Sequence, residues 1–309
     1  MRVGAPGVPT LGTVSARILT RVTLAATLAL VTLGGYTRGS GSGYGCRDRW
    51  PLCEDGLLGG LLPRADFHMI VEWSHRWLAA VVGILTVLTA YAAWRSARRW
   101  VAVVAISAVL VIAAQAWVGR LIVTSALDAD LVTLHLFISM TIAGLLTVAA
   151  VATTPAAGTR TSRSWTSALG IGAVGAFALL MAGSYAHNIY VAGWPLVGGE
   201  VVPDLSNRYV ALHWLHRMLA AALFFYLWYL VVAARRRARP RAERRLLWAV
   251  LGAHAVNIGL GAAHVFTMVG SSALVAAHLL VAALVWSGLV AATAMAAGAT
   301  DSAARLSAR

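Results

Sequence analysis

The stretch Glu72-Trp73-Ser74-His75-Arg76-Trp77-Leu78-Ala79-Ala80 opens a long apolar run, and most of it returns as His213-Trp214-Leu215-His216-Arg217-Met218-Leu219-Ala220-Ala221. A carboxylate, an imidazole and a guanidinium at the mouth of a segment otherwise suited to lipid are costly there, and such groups are retained mainly for function. At 3.6 residues per turn Glu72 and His75 share a helix face, as do His213 and His216, so each copy aims two polar groups at one neighbour.

The rest of the chain sets this motif in a membrane. Sixty per cent of the residues are hydrophobic, 12% are charged, and the mean hydropathy is +0.76, values of a polytopic membrane protein rather than a soluble domain. The 309 residues leave room for about eight spans of ~20 residues with short loops. The net charge of +14 does not indicate a nucleic-acid partner, because it sits in short loops between apolar runs and not along one face or arm. Every basic residue is Arg and none is Lys, which with the Ala, Val and Gly richness reads as compositional bias.

Residues 1–16, punctuated by Gly and Pro, read as a disordered cytoplasmic lead. The apolar run from Arg17 and Arg21 to Tyr36 has the charged flank of a signal peptide, but the Thr37-Arg38-Gly39-Ser40-Gly41 that follows favours a retained helix through the resemblance given below. Further spans are expected over 69–93, 101–123, 130–152, 166–187, 209–233, 246–268 and 273–297. With the N-terminus in the cytoplasm, the inner segments hold Arg2, Arg17, Arg21, Arg95, Arg98, Arg99, Arg160, Arg163, the cluster from Arg235 to Arg245, Arg305 and Arg309. The outer loops hold far fewer arginines and collect Asp48, Glu54, Asp55, Asp66, Asp128, Asp130, Glu200 and Asp204. This is the positive-inside pattern, with both termini cytoplasmic in the plasma membrane of a bacterium. It places Cys46 and Cys53 outside, where a disulfide persists, and favours structural or redox pairing over two incidental thiols.

The chain also reads as a duplication. His75 and His216 are 141 residues apart, His135 and His278 143, and Trp50-Pro51-Leu52 and Trp194-Pro195-Leu196 144. An offset that covers four spans, an even number, makes the halves parallel repeats about an axis along the membrane normal. The expectation is an all-α integral membrane protein of eight helices in two pseudo-symmetric four-helix bundles. Its divisions are the lead 1–16, a first repeat 17–153, a second repeat 154–298, and a cytoplasmic tail 299–309.

His75, His135, His216 and His278 fall five to seven residues into the second, fourth, sixth and eighth spans, which all run inward, so the four imidazoles share one depth of roughly 8–10 Å below the outer rim. One imidazole pair per four-helix unit is the geometry that holds a haem iron between two facing helices. Zinc would want four converging ligands, which this spacing does not supply within one half. Any one such histidine alone is more simply an interhelical hydrogen bond; four at matched depth are not. His68, His187, His254 and His264 lack matching partners and read as structural or as pocket neighbours, while Trp73, Trp77 and Trp214 read as an interfacial belt. Arg76 and Arg217 either snorkel to headgroups or pair with haem propionates. The halves differ where Glu72 stands against His213, and only the first carries the cysteine loop. A carboxylate beside a haem edge can move protons or stabilise a developing cation, so the first half reads as the reacting site and the second as an electron carrier.

The residues Gly34-Gly35-Tyr36-Thr37-Arg38-Gly39-Ser40-Gly41, Cys46 to Trp50-Pro51-Leu52-Cys53, and Glu72-Trp73-Ser74-His75-Arg76 resemble the first outer loop and second helix of the haem A synthase family. Gln115-Ala116-Trp117-Val118-Gly119 with His135, and His213 to Arg217 with Gly259-Leu260-Gly261 and His278, are similar to its later helices. The likeness runs from about residue 18 to 297. It implies oxidation of a methyl group of haem O to the formyl of haem A by successive hydroxylation, for cytochrome oxidase biogenesis. It implies a haem b cofactor on His216 and His278, with Arg217 toward a propionate. The substrate haem would lie on His75 and His135, with Arg76 toward a propionate and Glu72 as the essential carboxylate. It also implies a Cys46–Cys53 disulfide that assists substrate transfer or electron flow. Asn257 stands where the family has Gln, which bears on hydrogen bonding in that helix. Expected partners are haem O, membrane lipid, a haem O synthase that hands over substrate, and an electron acceptor the sequence does not identify. The competing readings are a di-haem b electron-transfer protein, which leaves Glu72 and the cysteine loop unexplained, and a haem transporter or chaperone.

Overall fold

The computed structural model describes residues 11–53, 61–96, 99–154, 161–187 and 190–307; Arg2, Glu54, Asp55, Arg98, Arg160 and Arg309, and most of the lead, lie outside the described residues. Eight helices carry the chain: α1 Leu11–Gly39, α2 Phe67–Ser96, α3 Arg99–Thr124, α4 Ala129–Ala152, α5 Arg163–Ala186, α6 Arg208–Arg236, α7 Arg241–Phe266 and α8 Ser272–Ser307. Each contains a stretch long and apolar enough to cross a membrane, so the chain is an all-helical, multi-pass membrane protein. Backbone polar groups in hydrocarbon must be satisfied within each segment, and helices do so.

Three boundaries differ from expectation, one of them the end of the last helix, which runs through the stretch read as a tail to Ser307 rather than stopping at 297. The first helix begins at Leu11, inside the stretch read as a disordered lead, because the last proline of the lead is Pro9. The seventh begins at Arg241, five residues before the apolar run, because the carboxylate in its first turn, Glu243, is paired locally. Arg239 donates to Glu243 (Nη2 to Oε2 2.8 Å) and to Thr161 Oγ1 (3.0 Å), while Trp165 Nε1 donates to Glu243 Oε1 (2.6 Å). A paired and hydrogen-bonded carboxylate can be buried where a lone one cannot.

Helix neighbours close two rings. α1 packs on α2, α2 on α3, α3 on α4 and α4 on α1; α5 to α8 repeat the same circuit. The rings meet through α1 on α8, α4 on α5 and α4 on α8, a set that maps onto itself when each helix is exchanged for its counterpart four along. These neighbours fit two repeats about a shared axis. Between the rings, Val31, Met140, Ala143, Leu180 and Ala283 are buried, and Trp286 seats over Gly144 and donates Nε1 to the Met140 carbonyl at 3.1 Å. Close approach over small residues is what drives helix association in lipid.

Candidate functional site

The four helices that carry the repeated histidines all begin with a side chain that accepts from the first turn, which satisfies orphan N–H groups and fixes where the helix starts. Asp66 Oδ1 accepts from Met69 N (2.9 Å), Asp128 Oδ1 from Leu131 N (3.0 Å), Asn207 Oδ1 from Tyr209 N (2.9 Å) and Ser271 Oγ from Leu274 N (3.4 Å). His75 and His216 each stand nine residues past their cap, and His135 and His278 each stand seven past theirs. At 1.5 Å per residue the imidazoles sit roughly 10–14 Å from the caps, all from the same end of the bundle.

Within each ring the two imidazoles lie close enough to interact electrostatically, His75 with His135 and His216 with His278. All four residues are half-buried, and in all four Nδ1 is buried without a hydrogen-bond partner while Nε2 is not among the buried, unpartnered atoms. Among the described residues no group of three or more His, Cys, Asp or Glu is disposed to hold a bare metal ion. Two imidazoles in opposition fit instead an iron whose other ligands come with it, as in a porphyrin.

Glu72 is 4% exposed and enters the outer loop. Oε2 accepts from Cys46 N at 2.7 Å, the Gly45 N–H also reaches the carboxylate, and Oε1 accepts from Arg76 Nη2 at 2.5 Å. Gly45 is required here: a Cβ would overlap the His68 carbonyl where the loop crosses the start of α2. Cys46 and Cys53 are buried and joined in a disulfide, packed with Met69 and Trp73. Position 213 of the second repeat, facing His216, is an imidazole and not a carboxylate.

Arg76 and Arg217 act in a way the sequence did not suggest. Arg76 Nη1 donates to the carbonyls of Arg49 (2.8 Å) and Pro51 (3.2 Å). Arg217 Nη1 donates to those of Gly193 (2.6 Å) and Leu196 (2.9 Å). Both therefore clamp the Trp-Pro-Leu loop of their own half. Trp73 and Trp214, read as belt residues, also donate Nε1 to loop carbonyls, of Leu61 (3.0 Å) and Val201 (2.9 Å). Trp77 stays exposed. A signal was available: all four residues lie in the repeated motif, opposite the repeated loop.

The remaining histidines separate. His254 Nε2 bonds the Ala220 carbonyl between α6 and α7 at 2.9 Å, and His68 Nδ1 bonds Ser42 Oγ at 2.9 Å; both are structural. His264 rests edge-on against the His278 ring at 5.4 Å between centroids. His187 ends α5 beside Arg38 and His264. Arg38 itself crosses from α1 to the other ring, donating to the Ser184 carbonyl (3.2 Å) and Oγ (3.3 Å). Gln115 Nε2 donates to the His135 carbonyl (3.0 Å) and Ser139 Oγ (2.6 Å). Asn257 is one methylene shorter and has Ala282 where the first half has Ser139; its buried Oδ1, like Gln115 Oε1, has no hydrogen-bond partner.

The chain is similar in sequence to known proteins. A "Heme A synthase" from Alkalihalophilus pseudofirmus is 26% identical over 255 residues, 79% of this chain and 84% of its own. Another from Symbiobacterium thermophilum is 28% identical over 270 residues, 80% and 84% of the two chains. A "Protoheme IX farnesyltransferase 1" from Natronomonas pharaonis is 31% identical over 130 residues, 42% of this chain and 26% of its own. Residues 17–290 match the family described as cytochrome oxidase assembly protein (COX15-CtaA), so nearly the whole bundle, with both imidazole pairs and the cysteine loop, belongs to that family.

Proposed function

We propose that the chain is a haem A synthase, which oxidises a methyl group of haem O to the formyl group of haem A for cytochrome oxidase assembly. The observation that carries this reading is the grouping of four imidazoles into two facing pairs at one level, with a buried carboxylate three residues before only one of them. The half 154–298 is the cofactor half, in which His216 and His278 would hold haem b. The half 17–153 is the substrate half, in which His75 and His135 receive haem O. The donor set fits both roles, since each half offers two imidazoles, and in every one of them Nδ1 is buried without a partner while Nε2 is not. A bound haem b supplies a route for electrons away from the reacting half.

Turning a methyl into a formyl group is a four-electron oxidation; with water as the oxygen source, CH3 and H2O give CHO with four protons and four electrons, so the reacting half then needs a proton acceptor at the porphyrin edge and an electron acceptor beyond it. Glu72 is the one buried carboxylate of the first half among the described residues, and it shares a helix face with His75. Its pairing with Arg76 holds it in place and favours its charged form, the form that can take a proton. The disulfide loop, held by Glu72 and Arg76 together, covers the outer side of this half and shields it from water. Arg76 and Arg217 have their inner donors on loop carbonyls, and their remaining N–H groups are those that would meet propionates. Both termini would face the cytoplasm of a bacterial cell. Substrate would pass from a haem-prenylating partner, a reading supported by the likeness of part of this chain to part of a farnesyltransferase.

The test is Glu72→Gln in cells that supply haem O. The variant should insert and retain haem b, while haem A formation falls by about 10²–10⁴-fold, the range for loss of a positioned acid or base. Undiminished haem A would remove Glu72 from the chemistry. Pigment extracted from the wild type should contain haem b together with haem O or A; haem b alone at two per chain would instead make the protein a carrier.

A further inference from the structure

Each of the four repeated imidazoles packs against a glycine on the helix that precedes its own. His75 lies on Gly34 of α1, His135 on Gly119 of α3, His216 on Gly183 of α5, and His278 on Gly261 of α7. A Cβ built on Gly183 would stand 2.8 Å from His216 Cε1, and one on Gly34 3.1 Å from His75 Cε1. The same atom on Gly119 or Gly261 would stand 3.4 Å from the facing Cε1, an ordinary contact. None of the four glycines has a positive φ, so backbone conformation does not call for them. In a helix interior glycine costs about 1 kcal/mol relative to alanine, so something else retains it. Gly83, Gly252 and Gly259, also helical, have open space where a Cβ would go and show what a glycine without this duty looks like.

We infer that Gly34, Gly119, Gly183 and Gly261 are positioning residues, each a notch that seats one axial imidazole, tight at Gly34 and Gly183 and loose at Gly119 and Gly261. This rests on the reading that the four histidines ligate iron. In each half the ring on the helix after the outer loop is fixed, and the ring across from it keeps room to follow the iron.

The experiment is low-temperature electron paramagnetic resonance and haem titration on the purified full-length protein. Gly183→Ala should weaken retention of haem b by about 10–100-fold, the range for second-shell changes at metal ligands, and convert the residual low-spin signal to high-spin. Gly259→Ala, where a Cβ would meet open space, should leave that signal unchanged. A Gly183→Ala protein with the wild-type low-spin signal and haem affinity overturns the notch. His216→Ala is run beside it: if that variant loses haem b while Gly183→Ala keeps it intact, the notch alone fails, and if His216→Ala also keeps it, the ligand reading and the notch fail together. Should Gly183→Ala not fold, Gly34→Ala decides in the other half, where haem b serves as the internal control. A high-spin or weakened substrate haem there supports the notch, and an unchanged one overturns it.

Discussion

The contact between Arg76 and Glu72 makes a prediction that can be worked through in free energy. The two side chains are 15% and 5% exposed, so their charges are little screened by water. Arg76→Ala leaves the Glu72 carboxylate buried without its cation, which costs about 3–5 kcal/mol. It also frees the carbonyls of Arg49 and Pro51, which adds about 1–2 kcal/mol. Glu72→Gln removes the charge but turns an amide N–H₂ toward either the Cys46 N–H or the guanidinium, at about 1–3 kcal/mol. In the double variant no charge is left unpaired, so its destabilisation should fall short of the sum of the single ones by about 2 kcal/mol or more. The assay is denaturant unfolding of the four proteins in one detergent. Additivity within about 0.5 kcal/mol would refute the claim that Arg76 is what allows the carboxylate to be buried and ionised.

At the opposite end of the bundle Glu243→Ala should take from the buried Arg239 its carboxylate, lowering stability by about 3–5 kcal/mol, and limited proteolysis should then cut before α7; an unchanged digest would contradict the pairing. Unreduced protein should offer no thiol to maleimide, and replacing both loop cysteines by Ser should cost about 2 kcal/mol for so short a loop; ready labelling of Cys46 and Cys53 would count against the bond. Burial pushes the His187 imidazole down to about 4, with Arg38 and His264 adding to the effect. Since the unfolded state then binds more protons between about pH 6.5 and 4, stability should fall as pH drops through that window. His187→Gln should remove roughly 1–3 kcal/mol of that loss in unfolding midpoints measured against pH, and an unaltered slope would show the ring is not held neutral.

What could be read from the chain and what could not divide along physical lines. Span number, the histidine pairs and the cysteine loop were legible because apolar length and a repeated motif are properties of the sequence itself. The start of α7 was not, since it depends on Trp165 and Thr161, some 78 residues away, reaching Glu243 and Arg239. The clamps made by Arg76 and Arg217 were hidden because their acceptors are main-chain carbonyls, which leave no mark on residue type. The glycine notches were visible only as Gly34, Gly119, Gly183 and Gly261 among many glycines, and a helix–helix contact was needed to tell them from Gly83 or Gly259.

The central claim is that one imidazole couple holds a resident haem and the other a haem in transit. The most direct measurement is the haem spectrum and extracted pigment of His75→Ala, His135→Ala, His216→Ala and His278→Ala, purified from cells with ample haem. The account predicts that the two changes in the second half abolish tightly bound haem b and that the two in the first half spare it while emptying the protein of haem O and A. Four variants with the same pigment and the same spectrum would contradict it.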